Sequence, residues 1–317
     1  MITFSRLLFF LNLFFFIFFL LLSLAKYTLY PGTWTSLFKN PVTSLYVGCC
    51  PMAAATLINV AVVIFHDRDG VGGKSFLNFL WGLWWLDVAI SFFCCWIGIH
   101  VMYAQFILSD GFSVLTLTRV AYQEHSLESM TAMWLLPVVT LIVASSSGGV
   151  ISRSLEAYST QSAFDTLMAS IFLVIVGLSL ALMILVIYLQ RLIIHGVPPG
   201  GALTSVFLPL GPTGQAGYSI LIIGERLRML LPRNSSANSH FLNSDDAATI
   251  IDVLCICLSF TLWSLATMWT FYGFLSIYTR LRGSLVNFQL SFWGMVFPSV
   301  RSLFQKMILA FTNCILL

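Results

Sequence analysis

The sequence predicts an all-α, polytopic membrane protein built from repeated helical hairpins. Three observations carry that prediction. The 317-residue chain is 59% hydrophobic and only 9% charged, with a mean hydropathy of +0.94. A soluble domain carries roughly 25% charged residues. Eight stretches reach the about 20 mainly apolar residues that cross a bilayer. Prolines fall inside every second stretch and in none of the others.

The stretches run in order as follows. Residues 4–29 are apolar for longer than the about 7–15 residues of a signal-peptide core, and no small-residue cleavage site follows, so they read as the first span. Residues 45–65 contain Pro51. Residues 77–107 are unbroken; Trp81, Trp84 and Trp85 near their start read as an interfacial belt, and Asp87 lies within them. Residues 130–151 contain Pro137, 165–194 are unbroken, and 201–224 contain Pro209 and Pro212. Residues 248–278 are unbroken. Residues 288–317 contain Pro298 and are interrupted by Arg301 and Lys306. The connections are short and hold nearly all the charge, so residues 1–317 read as a single transmembrane domain.

The first proline of each broken stretch lies 86, 72 and 89 residues from the next, which marks a repeat of one straight and one kinked helix. Proline removes a backbone donor and frees a carbonyl one turn earlier. In hydrocarbon such a group costs several kcal/mol, so broken backbone belongs against protein or along a wet cavity. The kinked helices, broken near their middles, are expected to ring a pore, with the straight helices outside facing lipid.

Composition also excludes functions. The net charge of +3 is diffuse, with no basic stripe for nucleic acid. The seven cysteines lie in apolar runs without metal-ligand spacing and read as small buried apolar residues. No cofactor motif is present. No His, Asp, Glu or Cys cluster converges at one depth, so an enzyme is not expected. Lys and Arg are balanced between the two sides and leave the orientation open. Asn234 in "NSS" is a glycosylation candidate.

The most polar broken stretch is "VFLPLGPTGQAGYSI", residues 206–220. Gly211, Gly214 and Gly217 let backbone approach an ion; Thr213, Gln215 and Ser219 offer side-chain donors. In "ASSSGGV", Ser145, Ser146 and Ser147 are donors and Gly148 and Gly149 remove bulk. The alternative for both is close helix packing by small residues. Asn59 is an amide in a broken span, serving either the pore or an interhelical hydrogen bond. Pro51, Pro137, Pro209, Pro212 and Pro298 mark the expected lining. No Arg or Lys lies deep in these segments before residue 300, as weak multi-site binding of a passing anion requires. An intramembrane carboxylate is a functional candidate by default. Asp87 lies in an unbroken span, however, which favours a structural hydrogen bond or ion pair over a proton relay.

Three segments carry a resemblance: "YTLYPGTWTSLFKNPVTSLYVGCCPMAAATLIN", "WLLPVVTLIVASSSGGV" and "VFLPLGPTGQAGYSI". Together, over roughly residues 20–298, the chain resembles the fungal sulfite efflux pumps. These belong to the tellurite-resistance/dicarboxylate transporter family, which also holds malate permeases and plant slow anion channels. The resemblance implies ten helices in five hairpins, a pore lined by the proline-kinked helices, a homotrimer in membrane lipid, and export of sulfite or bisulfite across the plasma membrane. It implies a pore gate at Phe297, four residues after Trp293. Against that pattern the eight stretches match helices two to nine, so a chain shortened at both ends is expected. A malate-type dicarboxylate permease and a non-transporting fragment are the rival readings.

Overall fold

The computed structural model describes residues 2–30, 32–33, 37, 44–107, 130–198, 200–231 and 245–283. The eighth apolar stretch, with Trp293, Phe297, Pro298, Arg301 and Lys306, lies outside them, as do Asn234 and Cys314. The described chain is helical, with no strand among the described residues. Its long helices are α1 (Ile2–Leu29), α2 (Cys49–Ala61), α3 (Gly73–Ile107), α4 (Leu136–Leu155), α5 (Thr160–His195), α6 (Leu210–Leu230) and α7 (Asp245–Gly283). With the short turns that extend them, all seven are long and apolar enough to cross a membrane. The protein is therefore an all-α, multi-pass membrane protein.

The expected alternation of inner and outer helices is present. The most apolar windows of the proline-bearing spans Tyr46–Arg68, Ala132–Leu155 and Ser205–Leu230 are 44%, 89% and 67% buried, against at most 33% in the proline-free spans. Helix α4 is the centre: it packs against α2, α3, α5 and α6, and α6 packs in turn against α7. Helix α1 is apolar all round and presents Phe4, Leu7, Phe10, Phe14 and Leu21 outward, as a lipid-facing helix does.

Proline placement differs from the expectation of mid-helix breaks. Each inner helix is entered through a 3₁₀ turn, at Tyr46–Gly48, Ala132–Leu135 and Gly200–Phe207. Pro51, Pro137 and Pro209 sit where that turn meets the α-helix. In the first turn the proline's missing N–H would have had no partner in any case, so a proline there costs least. Helix α2 runs on at its far end into a π-helical segment, Val62–Arg68.

The hairpins are tight. Gly70, Gly72 and Gly73 take positive φ and reverse the chain between α2 and α3. Ser159 caps α5 by accepting from the Ser162 N–H. The C-terminal ends of the inner helices meet at one face: Ser154 donates to Asp67 Oδ1 at 2.6 Å, and Arg226 lies 3.6 Å from Glu156. The start of α1 joins the same face through Arg6 and Asp69 at 2.9 Å. The three inner helices are therefore parallel to one another and antiparallel to α1.

Two further expectations are corrected. Trp84 is no interfacial residue: it is fully buried, and its indole donates to the Ala144 carbonyl at 2.9 Å. The helix begins at Gly73, which carries Trp84 towards mid-depth, and Gly148 opposite leaves room for the ring. Nor are the cysteines uniformly buried. Cys95 is, but Cys49, Cys50 and Cys257 are exposed on helix surfaces.

Candidate functional site

Mid-depth between α4 and α6, the polar residues of the two quoted segments meet. Ser145 Oγ donates to the Ser170 carbonyl of α5 at 2.7 Å and lies 2.6 Å from Ser219 Oγ. The one Ser145 proton is used on Ser170, so Ser219 donates to Ser145. Gln215 Nε2 donates to Ser146 Oγ at 2.6 Å, and both Ser146 and Ser147 donate back to the Val143 carbonyl. Ser259 of α7 donates to the Gly217 carbonyl at 2.9 Å. These side chains form a buried polar seam that ties the inner helices together.

Two hydroxyls near the prolines bond back along the helix. Thr213 donates to the Pro209 carbonyl at 2.8 Å, and Thr140 to the Pro137 carbonyl at 2.7 Å. Both bond the carbonyl of the proline itself, in the first turn of its helix. Pro51, Pro137 and Pro212 are buried.

The glycines divide by what they face. A Cβ on Gly148 would meet Trp84 and Ser170, on the outer helices α3 and α5; one on Gly149 would meet Ile222 of α6 at 2.6 Å. Those two serve close packing, the alternative the sequence offered. Gly211 and Gly214 have nothing within 4 Å of such a Cβ. With Tyr218 and Leu221 they form a half-open stripe at helical spacing along α6. The structure thus brings Ser145, Ser146, Gln215 and Ser219 together and leaves Gly211 and Gly214 facing open space.

Among the described residues Asp87 does not make the hydrogen bond or ion pair expected of it. Asp87 is 3% exposed, and neither carboxylate oxygen has a hydrogen-bond partner among the described residues. Asn59 is half-buried, and its Oδ1 likewise lacks a partner there. Sequence reasoning missed Ser170, whose carbonyl anchors the seam from a proline-free helix, and Arg226, which is 4% exposed. Arg226 is held by Glu225 at 2.8 Å and by Glu156. Among the described residues no three His, Cys, Asp or Glu side chains converge as metal ligands would.

The family model for the voltage-dependent anion channel (SLAC1) matches residues 1–302. A relative from Arthroderma benhamiae named sulfite efflux pump SSU1 is 33% identical over 291 residues, covering 92% of this chain and 69% of the relative. Proteins of the same name from Candida albicans and Saccharomyces cerevisiae are 26% and 21% identical, covering 85% and 82% of this chain and 52% and 61% of theirs. No solved structure matches. With a family match across nearly its whole length, and with proline-entered helices at the centre of its fold, the chain belongs to the voltage-dependent anion channel (SLAC1) family.

Proposed function

We propose that this protein exports sulfite, or a related small anion, across the plasma membrane along a path bordered by α2, α4 and α6. The observation that carries this reading is the 33% identity over 92% of the chain to a protein named for sulfite efflux. The site chemistry supports it. From Pro137 to Ser152 in α4, and from Pro209 to Glu225 in and before α6, there is no Lys or Arg. An anion meets only neutral dipoles there, which bind weakly enough to let it leave. The polar groups bordering the path are those of Ser145, Ser146, Ser147, Thr213, Gln215 and Ser219, with Asn59 on α2, while Gly211 and Gly214 admit the ion to the backbone; Gly217 is buried, its carbonyl taken by Ser259. Phe297, beside Pro298, plugs the path. The working assembly is a homotrimer with one path in each subunit.

The test is efflux of labelled sulfite from lipid vesicles carrying the full chain, against protein-free vesicles. Efflux well above the protein-free rate, undiminished by excess malate, is the expected result. Efflux equal to the protein-free rate refutes the reading. Transport of labelled malate in place of sulfite turns it into that of a dicarboxylate permease.

A further inference from the structure

Four buried polar atoms in the inner-to-outer packing of α2 and α3 have no hydrogen-bond partner among the described residues. They are Asp87 Oδ1 and Oδ2, Ser91 Oγ and Asn59 Oδ1. Asp87 lies midway along the span Gly73–His100, and Ser91 follows it by one helical turn, so both share a face of α3. Ser91 is fully buried, and its carbonyl lies 3.2 Å from the Thr140 hydroxyl of the central helix. That contact directs this face of α3 inward, away from lipid. Buried polar groups are almost always paired, and unpaired ones call for an explanation. All four atoms are oxygens. Only the Ser91 hydroxyl among them has a proton of its own to donate, so the set is short of donors, and the simplest further donor is a proton on the carboxyl.

We propose that Asp87, with Ser91 beside it, is a proton-binding site whose loading is coupled to passage of the anion along the neighbouring inner helices. The proposal rests on the sulfite-export reading and adds a co-transported ion to it. The step is a plain proton transfer: an O–H bond forms on an Asp87 oxygen with a proton from water at one face, and it breaks to release the proton to water at the other. The carboxyl then cycles between –COO⁻ and –COOH with no other reactant. An anion beside α2 disfavours a second negative charge on α3, so anion and proton are held together and leave together. The titratable groups facing the carboxyl are few. From α2 the Cys50 thiol lies in electrostatic range, and on α3 itself the Cys94 thiol. The 3₁₀ turn before α2 contributes Tyr46, and α2 begins with Cys49. The π-helical segment carries His66 and Asp67, which are engaged with each other at the distant face. Helix α4 has no charged side chain before Arg153, at that same face. Among the described residues no fixed cation therefore holds Asp87 permanently ionised.

The experiment uses vesicles carrying the full chain, with equal labelled sulfite on both sides, the membrane potential clamped, and a tenfold proton gradient imposed. Sulfite speciation contributes equally to every variant, so the readout is the difference between proteins. Wild type is expected to accumulate label beyond Asp87→Asn, which keeps exchange at zero gradient but loses the extra accumulation. Ser91→Ala is expected to lose part of it. Asp87→Asn that accumulates label as wild type does overturns the proposal. If Asp87→Asn does not reach the membrane, a Ser91→Ala response equal to wild type overturns it instead. Wild type that carries no sulfite at all sinks the export reading, whereas wild type that carries sulfite but gives no more accumulation than Asp87→Asn sinks only the proton site.

Discussion

Gly148→Ala adds one methyl group at the most crowded point of the central helix, and the structure sets its cost. The new Cβ would stand 2.5 Å from Trp84 Cζ2 and 3.0 Å from Cε2. Carbon atoms rest at about 3.5–4.0 Å, so the shortfall is roughly 1 Å. Trp84 cannot retreat, because its ring is fully buried and its N–H is tied to the Ala144 carbonyl. On the other side the methyl group meets Ser170 Oγ, which is bound to the Thr166 carbonyl at 2.8 Å. Overpacking a well-filled core costs about 1–3 kcal/mol, and two pinned neighbours put this site at about 3. Replacing glycine by alanine inside a helix returns about 1 kcal/mol. The net cost is about 2 kcal/mol, a fall in Tm of roughly 4–8 °C at about 2–4 °C per kcal/mol. Gly82→Ala is the control: it is exposed on α3, and nothing lies within 4 Å of an added Cβ. It gains helix propensity without a clash and is expected to raise Tm slightly. Thermal melts of the detergent-solubilised variants, read by tryptophan fluorescence, compare the two. A Gly148→Ala protein that melts at or above wild type refutes the packing argument.

Two further outcomes are expected. Ser145→Ala removes the acceptor of Ser219 and the anchor to Ser170, and should cost about 1–3 kcal/mol, whereas Ser219→Ala leaves Ser145 its Ser170 bond and should cost about 1 kcal/mol; melts showing the reverse order would contradict the assigned donor directions. Phe297→Ala should raise sulfite leak through vesicles at equal protein content, and an unchanged leak would remove Phe297 as the plug.

The inner-and-outer plan was legible because proline chemistry is local. Prolines mark alternate stretches of the chain, and the marked spans, those of α2, α4 and α6, are the more buried ones. The place of each break was not legible. A 3₁₀ turn leading into an α-helix has the same apolar composition as the helix, so Pro51 and Pro137 looked central when they stand near an entrance. Trp84 was misread for a different reason. A tryptophan near the start of a span resembles a belt residue, and only Gly148, far along the chain, shows that the ring has somewhere to go. The polar seam was half legible. The serines and Gln215 stood out as unusual in an apolar chain, but the Ser145–Ser219 pair joins residues 74 apart and exists only once α4 and α6 lie side by side. Asp87 was expected to have a structural partner because its span is unbroken by proline. Among the described residues it has none, and that is the feature from which the proton site is inferred.

The parallel arrangement of the inner helices shows how such a fold can favour anions without an unpaired buried cation among the described residues of those helices. Each helix carries roughly half a positive charge at its N-terminus and half a negative charge at its C-terminus. Helices α2, α4 and α6 have their C-terminal ends joined through Asp67, Ser154, Glu156 and Arg226, so their N-terminal ends lie together at the opposite face. The three dipoles therefore add, and the proline-entered ends form a face of mild positive potential. Where the negative ends converge, Arg226 would be the natural trap for an anion. Glu156 and Glu225 both engage it, and its charge is offset in place. The field along the inner helices is then graded by backbone dipoles rather than set by any one charge. A path of that kind can attract small anions at one end and release them at the other.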